Sequence, residues 1–355
     1  MTVATDWQAG WQALVEAVGT DFAPDCVLEG ADAIELGTIR RYVEPLELGC
    51  PLHHDREVAR RHGYADVVAP CTSLMTFTIP PLWRPGEPPL FTDAARDAQP
   101  ARTAIGPPST GLEPPCTGYF ATDIAIDWLR PAVVGDRLHR VGHKLLSCTP
   151  KATSVGRGAF MTWESQIRNQ RDETVARTTT GTYTYEPHAE AGGRAPQPPL
   201  PASPPVFEPP PPADWERQRR WDEVEEGEEL PPYAFPISVY RLVVVAGANR
   251  DFNSIHHNTE YARSTGAPEM YANNLFLQGM WERVVRQWIG LAGTIRALAG
   301  FRMTSFNTAG DVVVVRGRVA RKWREGGDGL VELGMRSENS HGVSVGPGSM
   351  TVTLP

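Results

Sequence analysis

PLHHDREVARRHG at Pro51–Gly63 and SIHHNTEYARSTG at Ser254–Gly266 are the two stretches whose comparison decides the fold. Each places a His-His pair before a helix-forming run, and the His-to-Gly spacing is the same in both. Val67-Val68-Ala69-Pro70 follows the first copy and Met270-Tyr271-Ala272-Asn273 the second. Farther along, each half reaches a Gly-Asp turn that opens β-rich hairpin sequence, Gly135-Asp136-Arg137-Leu138 in one and Gly310-Asp311-Val312-Val313 in the other. The pattern is one unit of helix plus antiparallel sheet, written twice.

Between the halves the chain changes character. Of its 33 prolines, 11 lie between Pro187 and Pro212, a density that no ladder or helix survives. Residues 187–214 are therefore expected to be a linker, dividing an N-terminal domain (1–186) from a C-terminal domain (215–355). The first half also carries an extra Pro-rich run from about Trp83 to Pro115, including Phe91, that is too long for an ordinary connection and reads as a functional flap or a disordered loop. In the second half, Leu275 to Ile289 has apolar residues at helical spacing, which predicts a long central helix with Phe276 and Trp281 in the core.

Bulk properties exclude several classes of function. A formal net charge of -8 with no Lys/Arg block leaves no electrostatic footprint for nucleic acid. No apolar run approaches a membrane span, and the N-terminus lacks a signal pattern, so a cytoplasmic protein with no membrane partner is expected. Cys26, Cys50, Cys71, Cys116 and Cys148 are scattered without C-x-x-C spacing, which suggests neither a disulfide framework nor a zinc site.

The chemistry centres on Asp251-Phe252-Asn253-Ser254-Ile255-His256. Here a carboxylate and an imidazole stand five positions apart, between a β-rich run (Tyr240–Ala246, broken by Gly247-Ala248-Asn249) and a short capped helix opening at Asn258. Such a pair can hold one water, with one group moving a proton at its oxygen and the other at a neighbouring carbon. Asn253 reads as structural, pinning the loop through its side chain. On local pattern alone, an Asp-x-Asn turn before a helix is more often a simple cap, and a lone His more often structural. Matched duplication across the whole chain is what tips the reading towards catalysis.

These residues resemble the MaoC-like dehydratase/hydratase family in its two-domain form, over about residues 35–185 and 230–354. Asp251-x-Asn253-x-Ile255-His256 is similar to the family signature D-x-N-P-x-H, and the two Gly-Asp turns and Gly156-Arg157-Gly158-x-Phe160 are similar as well. The resemblance implies an α+β double hot-dog, two fused units each with an antiparallel sheet wrapped around a long central helix. It further implies (R)-specific hydration of 2-enoyl thioesters, or dehydration of 3-hydroxyacyl thioesters, without cofactor or metal. The substrate partner would be an acyl thioester of coenzyme A or acyl carrier protein; a homodimer remains open. Asp251 and His256 would be catalytic, and the backbone at Asn274 and Leu275, opening the central helix, would face the thioester oxygen. Asn273, Cys50, Cys71 and Trp83 would contact substrate in a widened acyl tunnel.

The chain departs from the family pattern in ways that matter. Leu48 and Cys50 stand where the first copy would need Asp and Asn, so only the second copy can do this chemistry. Ser254 replaces the usual Pro, Asn249-Arg250 the usual Ser-Gly, and Asn273-Asn274 the usual His-Gly. Two other readings stay open: a non-hydrating hot-dog protein that binds an acyl or polyketide-like thioester, and a thioesterase.

Overall fold

The computed structural model describes residues 7–25, 27–102, 110–153, 156–187, 212–215 and 217–355. The N-terminal half supplies strands β1 (Val27–Glu29), β2 (Gly118–Trp128), β3 (His139–Ala152), β4 (Gly156–Arg168) and β5 (Thr174–Pro187). The C-terminal half supplies β6 (Tyr233–Pro236), β7 (Thr294–Arg302), β8 (Val312–Glu325), β9 (Asp328–Asn339) and β10 (Gly342–Leu354). They form one ten-stranded sheet in the order β1-β3-β4-β5-β2-β7-β10-β9-β8-β6. Counted within its own half, the second order is the mirror of the first. The duplication therefore appears as pseudo-twofold symmetry about the β2–β7 seam, where Ile124 pairs with Phe301 and Ile126 with Leu298. This is the double hot-dog architecture expected from the sequence. Most of the expected linker, residues 188–211, lies outside the described residues.

Helices α1 (Gln12–Glu16), α2 (Leu36–Val43) and α3 (Arg56–Arg61) belong to the first half, and α4 (Val239–Asn249), α5 (Thr259–Ser264) and α6 (Asn274–Ile289) to the second. Among the described residues no helix is long and apolar enough to cross a membrane. Helix α6 is the central helix of its unit. It buries Phe276, Met280, Trp281 and Val285, and the Trp281 indole N–H donates to Ser337 Oγ at 2.9 Å, so the ring is buried without an orphaned donor.

Two features differ from the sequence reading. Tyr240–Ala246, expected to be strand-like, lies inside α4. Ser238 caps that helix by accepting from the N–H of Arg241, and Leu242, Val245, Ala246 and Asn249 fall on its buried face at helical spacing. Docking of that face outweighs the β preference of three consecutive valines. The other difference is that among the described residues the N-terminal unit has no long central helix. Its place is taken by a 3-10 stretch, Cys71–Thr78, which ends before Pro80-Pro81. A proline removes an N–H donor and biases the residue before it away from helix, so the stretch cannot continue as α6 does.

Candidate active site

Helix α4 delivers Asp251 through its C-terminal cap. Arg250 adopts the left-handed conformation (φ 56, ψ 24), its N–H donates to Gly247 O, and that of Asp251 donates to Ala246 O, the paired bonds of a Schellman ending. The following turn runs into a 3-10 element, Ser254–His256, capped by Asn253, whose Oδ1 accepts from the N–H of Ile255. His256 emerges from this element only 8% exposed.

One backbone contact fixes the imidazole's tautomer. Nδ1 of His256 lies 2.8 Å from the carbonyl oxygen of Tyr271, and because a carbonyl can only accept, Nδ1 carries the hydrogen. The Nε2 lone pair therefore faces Asp251, with Oδ2 at 3.4 Å. Two acceptors at that separation do not satisfy each other, but a water donating one hydrogen to each would. Burial lowers the His256 pKa below its ordinary value, against the opposing pull of Asp251 and of the Tyr271 carbonyl. The imidazole is accordingly neutral at pH 7.

The start of α6 forms the other side of the site. The Asn273 side chain accepts from the N–H of Phe276 at 2.9 Å and from Asn249 Nδ2 at 3.1 Å, tying the end of α4 to the start of α6. The N–H groups of Asn274 and Leu275 precede any possible intrahelical acceptor and are available to an incoming oxyanion. Asn274→Gly should leave turnover within about threefold of wild type if this backbone serves alone, since the substitution keeps the N–H and costs only a little helix propensity. A steep loss in the same steady-state assay would assign the role to the Asn274 side chain.

Asp251, Asn253, His256, Asn273, Asn274 and Leu275 all line one cavity of about 1580 Å³, together with Asn307 and Tyr271. Much of its wall comes from the other half: Cys71, Ile124, Trp128, Met161, Ile167 and Ala176, and every second residue of β5 from Thr178 to Thr184. The missing central helix of the N-terminal unit accounts for that room. Of the three further residues that the resemblance would put against substrate, Cys71 lies on this wall, whereas Cys50 and Trp83 lie outside it. Cys50 is fully buried in the core, where burial pushes its thiol up to about 11. Trp83 is 47% exposed outside the cavity lining, with its indole N–H turned to the carbonyls of Glu87 and Pro88. Proline-rich sequence around an aromatic does not reveal which way the ring turns.

Backbone contacts map one copy onto the other. The N–H of Val68 donates to Leu52 O as that of Tyr271 does to Ile255 O, and Ala69 donates to Ala132 O as Ala272 does to Asn307 O. His53 even keeps the Nδ1 contact, at 2.8 Å to Val68 O. By this correspondence Cys71 and Thr72 match Asn274 and Leu275. Their N–H groups, however, donate to the carboxylate of Glu282, on α6, at 2.9 and 2.8 Å. The second would-be oxyanion site is filled by a resident carboxylate. Sequence reasoning missed Glu282, Asn249 and Tyr271, because each acts on a partner that only the tertiary fold brings near.

The chain is similar to several known proteins. A family model described as the FAS1-like, dehydratase domain region matches residues 17–178. The "Probable enoyl-CoA hydratase alpha subunit" of Thermomonospora curvata is 31% identical over 151 residues, which is 41% of this chain and 43% of that protein. The 3-oxo-4,17-pregnadiene-20-carboxyl-CoA hydratase beta subunit of Mycobacterium tuberculosis is 30% identical over 101 residues, 28% of this chain and 74% of that protein. Among solved structures, a MaoC-like dehydratase superimposes with a TM-score of 0.67 at 21% identity, covering 96% of this chain and 100% of that one. A double hot-dog protein from Mycobacterium tuberculosis gives 0.57 at 12% identity, over 95% and 98% of the two chains. Its fold is shared from end to end with such structures, and a hydratase subunit is matched over most of its length, so the chain belongs to the MaoC-like dehydratase/hydratase family.

Proposed function

We propose that the protein adds water across the double bond of 2-enoyl thioesters, or removes it from the 3-hydroxy form, with the (R) sense that the family resemblance implies. The observation that carries this reading is Nε2 of His256 standing 3.4 Å from Asp251 Oδ2 in a cavity shared with the start of α6. In hydration, a water bridging the two gives a proton to His256 as its oxygen attacks the β-carbon. Negative charge moves to the thioester oxygen, against the N–H groups of Asn274 and Leu275, and the α-carbon is then protonated from the same pair. Dehydration reverses these steps.

The substrate is an acyl thioester of coenzyme A or acyl carrier protein with a bulky acyl group. Ligand pockets commonly hold roughly 300–1,000 Å³, and a short chain would leave most of this cavity's 1580 Å³ empty. Loss of conjugated-thioester absorbance tests the reaction, with crotonyl-CoA and a long or polycyclic enoyl-CoA compared side by side. The bulky substrate is expected to give a kcat/KM about tenfold higher, because contacts remote from the reacting carbons support the chemical step. Thiol release without hydration would replace this reading with a thioesterase, and binding without turnover would replace it with a carrier of acyl thioesters.

The pH profile follows from the imidazole. Hydration needs neutral His256, and its lowered pKa keeps it neutral below the ordinary value of about 6.5. The acidic limb of kcat/KM should therefore fall below pH 6.5. Folding stability should move the same way. His53 is held near pKa 4 by burial, so as pH falls through 6.5 the unfolded chain takes up a proton that the native site refuses until about pH 4. Denaturant titrations at pH 7 and pH 5 check this: stability should be lower at pH 5, and the difference should shrink in His53→Leu.

A further inference from the structure

Residues 83–102 of the Pro-rich insertion, with the two residues at its root, are docked on the catalytic turn of the other half. This segment has a structure of its own: Leu90 is buried, the N–H of Ala101 donates to Leu90 O at 3.0 Å, and Arg102 pairs with Glu87. Three residues of the catalytic turn reach it. The Arg250 guanidinium donates to Ile79 O and Pro80 O at its root, both at 2.9 Å. Ser254 Oγ donates to Gln99 Oε1 at 2.9 Å, and Asn258 Nδ2 to Asp97 Oδ1 at 2.6 Å. In sequence these three bracket Asp251 and His256.

Two of the anchors stand where the local backbone would be stiffer or more relaxed with another residue. Arg250 occupies a left-handed position that glycine adopts at no cost, and its two bonds to the insertion help to hold it there. Ser254 opens the 3-10 element, and the other copy has Pro51 at that position. The preceding residues share one conformation, φ -63, ψ 120 at Cys50 and φ -64, ψ 125 at Asn253. That conformation suits a residue before proline, so a ring would fit at 254 and would lock φ without help from any partner.

We infer that residues 79–99 act as a strap that positions the catalytic turn, with Ser254–Gln99 and Asn258–Asp97 supplying the rigidity that a proline supplies in the first copy. Gln99, Asp97 and Ser254 are positioning residues, acting through Asp251 and His256; the inference rests on the hydratase reading for its catalytic consequence only. A turn free to drift by even an ångström loses the geometry needed to share one water.

The test combines D97A/Q99A with S254P. Removing both side-chain anchors is expected to lower kcat about tenfold at nearly unchanged KM, and to speed amide exchange of residues 255–257 by a similar factor. Adding S254P to D97A/Q99A should restore slow exchange and most of the lost kcat, because the ring then fixes the turn. Unchanged exchange in D97A/Q99A would overturn the inference, as would S254P tightening the turn without recovering kcat. If the wild-type protein hydrates no enoyl thioester, the hydratase reading fails while the exchange measurements still decide whether the strap holds the turn.

Discussion

Asp251→Asn and His256→Ala are each expected to lower hydration turnover by about 10²–10⁴, the usual worth of a positioned proton-transfer group. The two variants fail for different reasons. Asparagine keeps the size of Asp251 but presents an amide in place of the carboxylate that, in the proposed mechanism, accepts one hydrogen of a bridging water. Alanine at 256 removes the lone pair that Tyr271 holds towards Asp251 through Nδ1. His53→Ala is the internal control. His53 has the same backbone contact but is 1% exposed, lies outside the cavity lining, and has Leu48 at the sequence position where Asp251 stands in the other copy. Its loss should change stability and leave kcat nearly intact. Steady-state absorbance measurements with a denaturation control separate these outcomes, and comparable losses at His53 and His256 would place the chemistry in the wrong half.

Much of this site is legible in the sequence because its signals are local. Asn258 caps α5 and Asn273 caps α6 through side-chain bonds to residues three positions on, within any sequence window. The duplication is legible for the same reason, since the matched His-to-Gly spacing lies within each copy. Features that depend on distant partners are not legible. Val243-Val244-Val245 reads as strand until α4 docks with Val245 inside and Val243 and Val244 outside. The N-terminal unit is expected from the resemblance to have a long central helix of its own, and the room left where Pro80-Pro81 end the 3-10 stretch takes shape only when β2, β4 and β5 enclose it. Gln99 and Ser254 are 155 positions apart, and no periodicity connects a loop in one copy to a turn in the other.

Glu282 shows what such a distant partner contributes, and Glu282→Ala is the second substitution expected to have a large effect. A carboxylate in the middle of a buried helix face would be costly if unpaired, and Glu282 has no exposed surface. It is matched by the N–H groups of Cys71 and Thr72 and by the Thr72 hydroxyl, the last at 2.5 Å. The hydroxyl belongs to a small network, since Tyr42 Oη lies 2.9 Å from Thr72 Oγ1 and donates to Leu275 O at 3.1 Å. The first turn of the 3-10 stretch, which has no helix long enough to organise it, is therefore terminated by a residue of the other unit. Alanine would strand the buried N–H and hydroxyl of Thr72 and the part-buried N–H of Cys71 at once. With unmet buried groups costing about 1–3 kcal/mol each, a loss of about 3 kcal/mol or more in denaturant-measured stability is expected. Glu282→Gln keeps one strong acceptor and should lose less. The order Ala, then Gln, then wild type in rising stability is what an internal anion at this site requires. Equal stability of all three would mean that water satisfies these donors as well as the carboxylate does, and the first copy's oxyanion site would then be open to a ligand.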